Sequence, residues 1–263
     1  MMRKEITPPY EMNYNFGADA DSYERDFGVK ERDVILPSIM KLAGLRQGVD
    51  KLAFLDLGCG WGPMAYAFSV LTEGVPGCRY LGVDIRKDAI DWLTAAYAKV
   101  ENIEYLHHAA DHKVDYISSG GTLLESSGDE GGYAVPEKAF DLQWSHSLFT
   151  HLTPQACHQA LNSISRSLSQ GGVAINTWLI IDDHSMQSLR DGVADRQLPF
   201  DFGDFLTYLQ DNPLMCTAYK SPAIQRFYEE AGQKITAFLP GSWRGRGISN
   251  GVTYQDIVIS QVK

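Results

Sequence analysis

Along most of this chain short apolar runs alternate with stretches of helical periodicity. Leu52 to Leu57 is apolar apart from Asp56 and reads as a buried strand. Tyr80 to Val83, Ile103 to Leu106, Phe140 to Trp144 and Val173 to Ile181 read as further strands. After the second run, Ile90, Leu93, Tyr97 and Val100 fall on one helical face. Thr153-Pro154 opens another helix, with Thr as N-cap and Pro in the first turn. Ala160, Leu161, Ile164 and Leu168 line its apolar face, and Gly171-Gly172 is expected to stop it. Strand alternating with helix predicts an α/β fold, a parallel sheet covered on both faces.

The C-terminal end departs from that alternation. Ser221-Pro222 begins a helix with Ile224, Phe227, Tyr228 and Ala231 apolar, ended by Gly232. Strands around Ile235 to Leu239 and Tyr254 to Ile259 follow, joined only by the glycine-rich PGSWRGRGISNGV. Parallel neighbours need a crossover element, so these two strands are expected to be antiparallel. Three segments lie outside the pattern: an aromatic N-terminal cap over about 1–30, a Gly/Ser-rich loop over 112–139, and an insertion over about 182–220. A connection as long as the last usually forms a lid or binding element. One domain spanning 1–263 is expected.

Composition narrows the partners. The chain has 263 residues, 44% of them hydrophobic, and a formal net charge of −10. That charge disfavours a surface for nucleic acid or for anionic membranes. No apolar stretch approaches the roughly 20 residues of a membrane span, and the N-terminus has no signal-peptide core. Cys59, Cys78, Cys157 and Cys216 are scattered and form no CxxC pair, which suggests free thiols in a reducing cytoplasm. Oligomeric state is not readable from the sequence.

Candidate chemistry starts at LDLGCGWGPM, residues 55–64. Strand, glycine turn and helix together make a ligand site: Gly58 and Gly60 allow a tight turn and close approach. A second acid, Asp84, ends the next strand 22 residues after Gly62. An acid there accepts hydrogen bonds from both hydroxyls of a ribose. The dinucleotide fingerprint G-x-G-x-x-G would place its third glycine at 63, which is Pro. Asp56, two residues before the first glycine, would repel a diphosphate. It suits a ligand with an ammonium or sulfonium group, and S-adenosylmethionine carries both. A nicotinamide-dependent oxidoreductase is the competing reading, and a non-catalytic S-adenosylmethionine-binding protein a third.

The ordered set LDLGCGWG, LGVDIRKDAIDW, HAAD, FDLQWSHSLFTHL and SLSQGGVAINTW resembles the successive motifs of class I S-adenosylmethionine-dependent methyltransferases. The resemblance covers roughly residues 20–181. PGSWRGR…YQDIVI is similar to a bacterial subgroup associated with glycan and small-molecule pathways. The resemblance implies a Rossmann-like, doubly wound sheet of seven strands with the last antiparallel. It implies that Asp56, Gly58, Cys59, Gly60 and Gly62 surround the methionine part of the cofactor. It implies further that Asp84 binds the ribose, Ile85 packs on the adenine, Asp111 accepts from the adenine amino group, and Ser145 lies near the sulfonium.

The expected reaction is O-methylation of a small-molecule hydroxyl, with a saccharide suggested by the subgroup resemblance, and transfer to a hydroxyl benefits from alignment and from a base. His146 is the first candidate base and His151 the second, both just beyond the fourth strand. Anchoring of the following helix is the plain alternative for His151. No metal is expected, with Asp182, Asp183 and His184 as the weak candidates for a divalent ion. Trp243, Arg244 and Arg246 are weak candidates for stacking on or clamping a substrate. Phe202, Phe205 and Leu209 either cap the substrate or join the core.

Overall fold

The computed structural model describes residues 6–10, 19–45, 51–109 and 132–263. The chain divides into two compact units, Met1–Ala109 and Ala110–Lys263.

The first unit begins with α1 (Ala20–Asp26), capped by Asp19, whose carboxylate accepts from the Ser22 amide at 2.8 Å. A single π-helical turn, Glu31–Ile35, leads into α2 (Leu36–Leu42). Then come β1 (Ala53–Leu57), α3 (Pro63–Leu71), β2 (Arg79–Asp84), α4 (Lys87–Ala96) and β3 (Ile103–His107). β2 pairs in parallel with both β1 and β3, setting Asp56 opposite Gly82 and Asp84 opposite His107. Every residue of β1 is buried, as its continuous apolar run demands, and this carries Asp56 inside as well, at 3% exposure.

The second unit holds β4 (Phe140–Ser145), α5 (Pro154–Ser167), β5 (Leu168–Trp178), β6 (Ile180–Ile181) and α6 (Asp183–Arg190). It continues through β7 (Phe200–Asp201), β8 (Phe205–Thr207), β9 (Thr217–Lys220), α7 (Ser221–Glu230), β10 (Gln233–Leu239) and β11 (Asp256–Val262). β11 is antiparallel to both β5 and β10, as the missing crossover requires. The sheet order is β10-β11-β5-β4-β1-β2-β3, a Rossmann-like sheet of seven strands, mostly parallel with the last antiparallel.

Three expectations need correction. Gly171-Gly172 does not end α5. The helix stops at Ser167, and both glycines lie in the irregular start of β5, where the register against β4 jumps between Phe140 and Leu142. A Cβ on Gly172 would sit 2.9 Å from the Phe140 carbonyl oxygen, so that glycine serves close backbone approach. The fifth strand does not run on to Ile181. It ends at Trp178, and Ile180–Ile181 joins a second, four-stranded sheet ordered β6-β9-β8-β7. Finally, of the three residues offered to the core only Phe205 is buried; Leu209 is exposed, and Phe202, also exposed, stacks on Phe205 with ring centroids 5.3 Å apart.

The insertion over 182–220 thus forms α6 and most of that small sheet. Leu198, Leu206, Cys216 and Ala218 from it pack with Leu179, Ile181 and Trp243. The Gly/Ser-rich segment expected over 112–139 lies mostly outside the described residues, as does Asp111.

Candidate functional site

The glycine turn after β1 passes through Gly58, Gly60 and Gly62, all in the left-handed region (φ 82°, 53° and 81°). At Gly62 a Cβ would fall 2.5 Å from Leu93 Cδ2, so the packing of α4 excludes a side chain there. At Gly60 a Cβ would meet nothing within 4 Å, so that side of the turn faces open space. The amides of Gly58 and Cys59 donate to the Val83 carbonyl at 2.8 and 3.1 Å, and that of Gly62 to the Cys59 carbonyl at 3.0 Å. The Gly60 amide donates to Asp84 Oδ2 at 2.8 Å. A phosphate cradle presents such amides to its ligand; here these four are engaged within the protein.

Asp84 is therefore more than the ribose ligand the sequence suggested. One oxygen holds the glycine turn, and the other accepts from the Arg86 amide at 2.9 Å. Each oxygen keeps a second lone pair, which is what a ribose diol needs. Burial raises the pKa of Asp84 despite these bonds. Asp56 accepts a 2.6 Å hydrogen bond from the Tyr80 hydroxyl. Burial pushes its carboxyl up to about 7; Tyr80 opposes that shift, while the charges of Asp84 and Glu31 add to it. No lysine or arginine among the described residues is hydrogen-bonded to Asp56 or Asp84. Ile85 is half-buried, and its carbonyl accepts from His107 Nε2 at 3.1 Å. Cys59 is buried, and burial raises its thiol pKa well above the ordinary value, leaving it an inert backbone position in the turn.

In the second unit, Ser145 ends β4 fully buried, its hydroxyl donating to Asn176 Oδ1 at 2.6 Å. Asn176 in turn donates to the Tyr228 hydroxyl at 3.1 Å. The Ser145 side chain is thus engaged in an internal relay. His146 is exposed, its ring 5.8 Å from that of Trp144. Next to it Ser147 adopts φ 60°, unusual for a residue with a side chain. Two anchors fix that bend: the Ser147 amide donates to Thr177 Oγ1 at 2.8 Å, and Gln255 Nε2 donates to Ser147 Oγ at 2.8 Å. His151 has Nδ1 2.9 Å from the Leu214 carbonyl, and a carbonyl only accepts, so Nδ1 carries the proton. Burial lowers its pKa. His146 and His151 therefore differ: one is exposed beside a strained turn, and the other is a neutral tether to the insertion.

The weak substrate and metal candidates are corrected. Trp243 is fully buried and Arg244 is 2% exposed, so neither presents a surface to a substrate. Arg244 bonds Asp256 through Nε at 2.7 Å and Asp182 through Nη1 at 2.7 Å; the Trp243 indole N–H donates to Asp256 at 2.8 Å. Arg246 is exposed and takes no part in this network. Asp182 caps α6, accepting from the Ser185 amide at 2.9 Å, while Asp183 and His184 are exposed. Among the described residues no group of three or more His, Cys, Asp or Glu side chains is placed to hold a metal ion. Of the candidate site residues, Asp182 alone lines a cavity of about 590 Å³ beside α7 and β10.

Sequence reasoning missed Tyr80, Ser147, Gln255 and Glu31. It also missed Gln143, fully buried in β4 with neither amide atom partnered. Gln143 had one visible signal, an amide inside an otherwise apolar strand. The others have none, because their partners are distant in sequence.

Residues 55–176 match the model of a methyltransferase domain. The chain is similar in fold to the PH0226 protein from Pyrococcus horikoshii OT3, with TM-score 0.57 and 16% identity over 97% of this chain and 96% of that one. It is also similar to DesVI from Streptomyces venezuelae, with TM-score 0.52 and 15% identity over 94% and 100%. A third is a S-adenosylmethionine-dependent methyltransferase from Aquifex aeolicus, with TM-score 0.50 and 14% identity over 89% and 92%. Glycine turn, ordered motifs, strand order and the match over residues 55–176 agree on one point: the chain carries a methyltransferase domain on a Rossmann-like fold.

Proposed function

We propose that this protein methylates a hydroxyl group of a small molecule, a saccharide being the class suggested by the resemblance of its C-terminal segment. S-adenosylmethionine, when bound, supplies a methyl carbon on a sulfonium, open to in-line displacement. The observation that supports the cofactor assignment is the charge of the turn: Asp56 is buried and Asp84 half-buried, neither is bonded to a cation among the described residues, and the surrounding amides are engaged. Such a site suits an ammonium-bearing nucleoside and resists a dinucleotide.

In this reading Gly58, Cys59, Gly60 and Gly62 shape the wall of the cofactor site. Asp56 faces the ammonium group, Asp84 accepts from the ribose hydroxyls, and Ile85 borders the adenine. Ser145 is assigned to the sulfonium end by the resemblance of its motif alone, and its hydroxyl is held by Asn176. His146 takes the proton from the acceptor hydroxyl, supported by its exposure and by the fixed bend at Ser147. His151 holds the insertion in place. Four unbridged, buried cysteines support a cytoplasmic setting, and no helix among the described residues is long and apolar enough to cross a membrane.

The test has two stages. Calorimetry is expected to show binding of S-adenosylhomocysteine and none of NADH; the opposite result overturns the reading. Labelled cofactor is then offered with a panel of polyhydroxylated acceptors. His146→Ala is expected to lower turnover at least tenfold with unchanged affinity for S-adenosylhomocysteine. Full activity in that variant removes His146 as the base, and cofactor binding without transfer to any acceptor favours a non-catalytic role.

A further inference from the structure

Three successive residues of the glycine turn are held by the segment that follows β2. The Gly60 amide donates to Asp84 Oδ2 at 2.8 Å. Trp61 lies beneath Arg86, whose guanidinium carbon stands 4.8 Å from the centre of the indole ring. Gly62 is packed so closely that a Cβ would fall 2.5 Å from Leu93 Cδ2. The first and last of these contacts belong to the site already described. The middle one has no task in it.

Trp61 is 8% exposed, and its indole N–H has no acceptor among the described residues. Ring contacts, not a hydrogen bond, therefore fix this side chain. One is the Arg86 stack, and the other is an edge-on contact with Trp92 of α4, centroids 6.3 Å apart. Arg86 is pinned at both ends. Its amide donates to Asp84 Oδ1 at 2.9 Å, and its head bonds Asp88 through Nη2 at 2.8 Å and Nε at 3.3 Å. A pair of this kind at an exposed helix start contributes little on its own. Here the same head also covers a nearly buried indole, a favourable face for a cation. The consequence falls on Asp84, which is held by two amides, one from each side of this clamp. A slip of the turn against the end of β2 would part those amides and rotate the carboxylate, and the stack opposes that slip. The Arg86 charge, near Asp84 without bonding it, also favours the ionised carboxylate.

We infer that Arg86, stacked on Trp61, is a positioning residue for ribose recognition: it locks the glycine turn to the end of β2 and so keeps the Asp84 carboxylate turned for the diol. This rests on the proposed role of Asp84. Arg86 touches no ligand atom in this account and acts through Asp84 alone. The clamp calls for arginine in particular, because a flat guanidinium can lie on an indole while its edge bonds a carboxylate.

The test is competition on the full chain against labelled S-adenosylhomocysteine, with two competitors: adenosine, and 2′,3′-dideoxyadenosine, which lacks both hydroxyls offered to Asp84. The wild type is expected to prefer adenosine by about tenfold or more. Arg86→Met keeps the stem and removes the charged plane. It is expected to weaken adenosine about three- to tenfold and to leave the dideoxy compound unchanged. Arg86→Lys, which keeps the charge, should recover part of that loss. Trp61→Leu should shift the preference in the same direction, and the double variant should lose no more than the larger single loss. Equal weakening of both competitors means a general loosening of the site and overturns the inference, as does no change in either or a fully additive double variant. Asp84→Asn, measured in parallel, separates the two claims. If it leaves the preference intact, the placement of Asp84 fails and the inference with it; if it abolishes the preference while Arg86→Met does not alter it, only the role of Arg86 fails. Failure of S-adenosylhomocysteine to bind the wild type overturns both. Should Trp61→Leu fold poorly, Trp61→Phe offers the cation a smaller face and is expected to show a smaller loss with the same pattern.

Discussion

Two groups of buried charge differ in how they are satisfied. In the second unit, Asp256 is fully buried and accepts from the Gly241 amide, the Ile180 amide, the Trp243 indole and Arg244, all between 2.7 and 2.8 Å. Arg244 uses all three guanidinium nitrogens, on Asp256, Asp182 and the Ile180 carbonyl. Burial works against its charge, but Asp256 and then Asp182 more than offset that and raise its pKa. In the first unit, Asp56, Asp84 and Glu31 share a neighbourhood with no bonded cation, and burial raises the pKa of each. The first arrangement is complete in itself and holds the fold. The second is left electrically open, and in the proposed reading a cationic ligand completes it.

The largest effect expected on breaking this contrast lies in the complete cluster. Arg244→Met leaves the Asp256 carboxylate buried without its cation, and removing one partner of such a pair typically costs about 3–5 kcal/mol. Urea unfolding at pH 7 is the measurement, and the loss should be independent of cofactor. A loss well under 1 kcal/mol would mean that Arg244 is dispensable and the cluster is not what joins β11 to α6.

In the open cluster the sign reverses. Asp56→Asn keeps an acceptor for Tyr80 and removes a charge that burial disfavours, so the ligand-free protein should gain about 1–3 kcal/mol at pH 8. Affinity for S-adenosylmethionine should fall at least tenfold in the same variant. The pH dependence follows from the raised pKa. Between the ordinary carboxylate value of about 4 and the folded value of about 7, the native state binds the extra proton. Stability from this group is full below about pH 4 and is lost as pH rises through about 7. Wild-type ligand-free protein should therefore melt lower at pH 8 than at pH 5.5, with a smaller difference in Asp56→Asn. Identical profiles would show that Asp56 is ionised throughout.

How much of this was legible follows from distance along the chain. The glycine turn, Asp56, Asp84 and the Thr153-Pro154 start are local patterns, and the structure places each where its pattern puts it. The antiparallel end was legible for a topological reason, the absent crossover. Arg244 was misread because an arginine in a glycine-rich segment looks solvated. Only the fold brings Asp182, 62 residues earlier, to its side. Tyr80 was read as a strand residue alone, since its bond to Asp56 spans 24 residues and follows from strand pairing.

Asp182 gives the smallest and sharpest test, because it belongs to the complete cluster yet lies at its edge with a side chain 30% exposed. It does two things, capping α6 and pairing with Arg244. Asp182→Ser keeps a capping oxygen and loses the ion pair; Asp182→Ala loses both. Caps contribute about 1 kcal/mol, and a pair open to solvent is screened to less than that. Asp182→Ala should thus cost about 1–2 kcal/mol and Asp182→Ser under about 1. Burial pushes the Asp182 carboxyl up, but the Ser185 amide and Arg244 outweigh it and hold the pKa below the usual range. Stability from Asp182 is therefore present above about pH 4 and lost as pH falls through the lowered value, the opposite slope to Asp56. Magnesium should not raise the melting temperature of the wild type, since both carboxylate oxygens already bond Arg244. A rise in the wild type that both variants abolish would return Asp182 to the metal ligands.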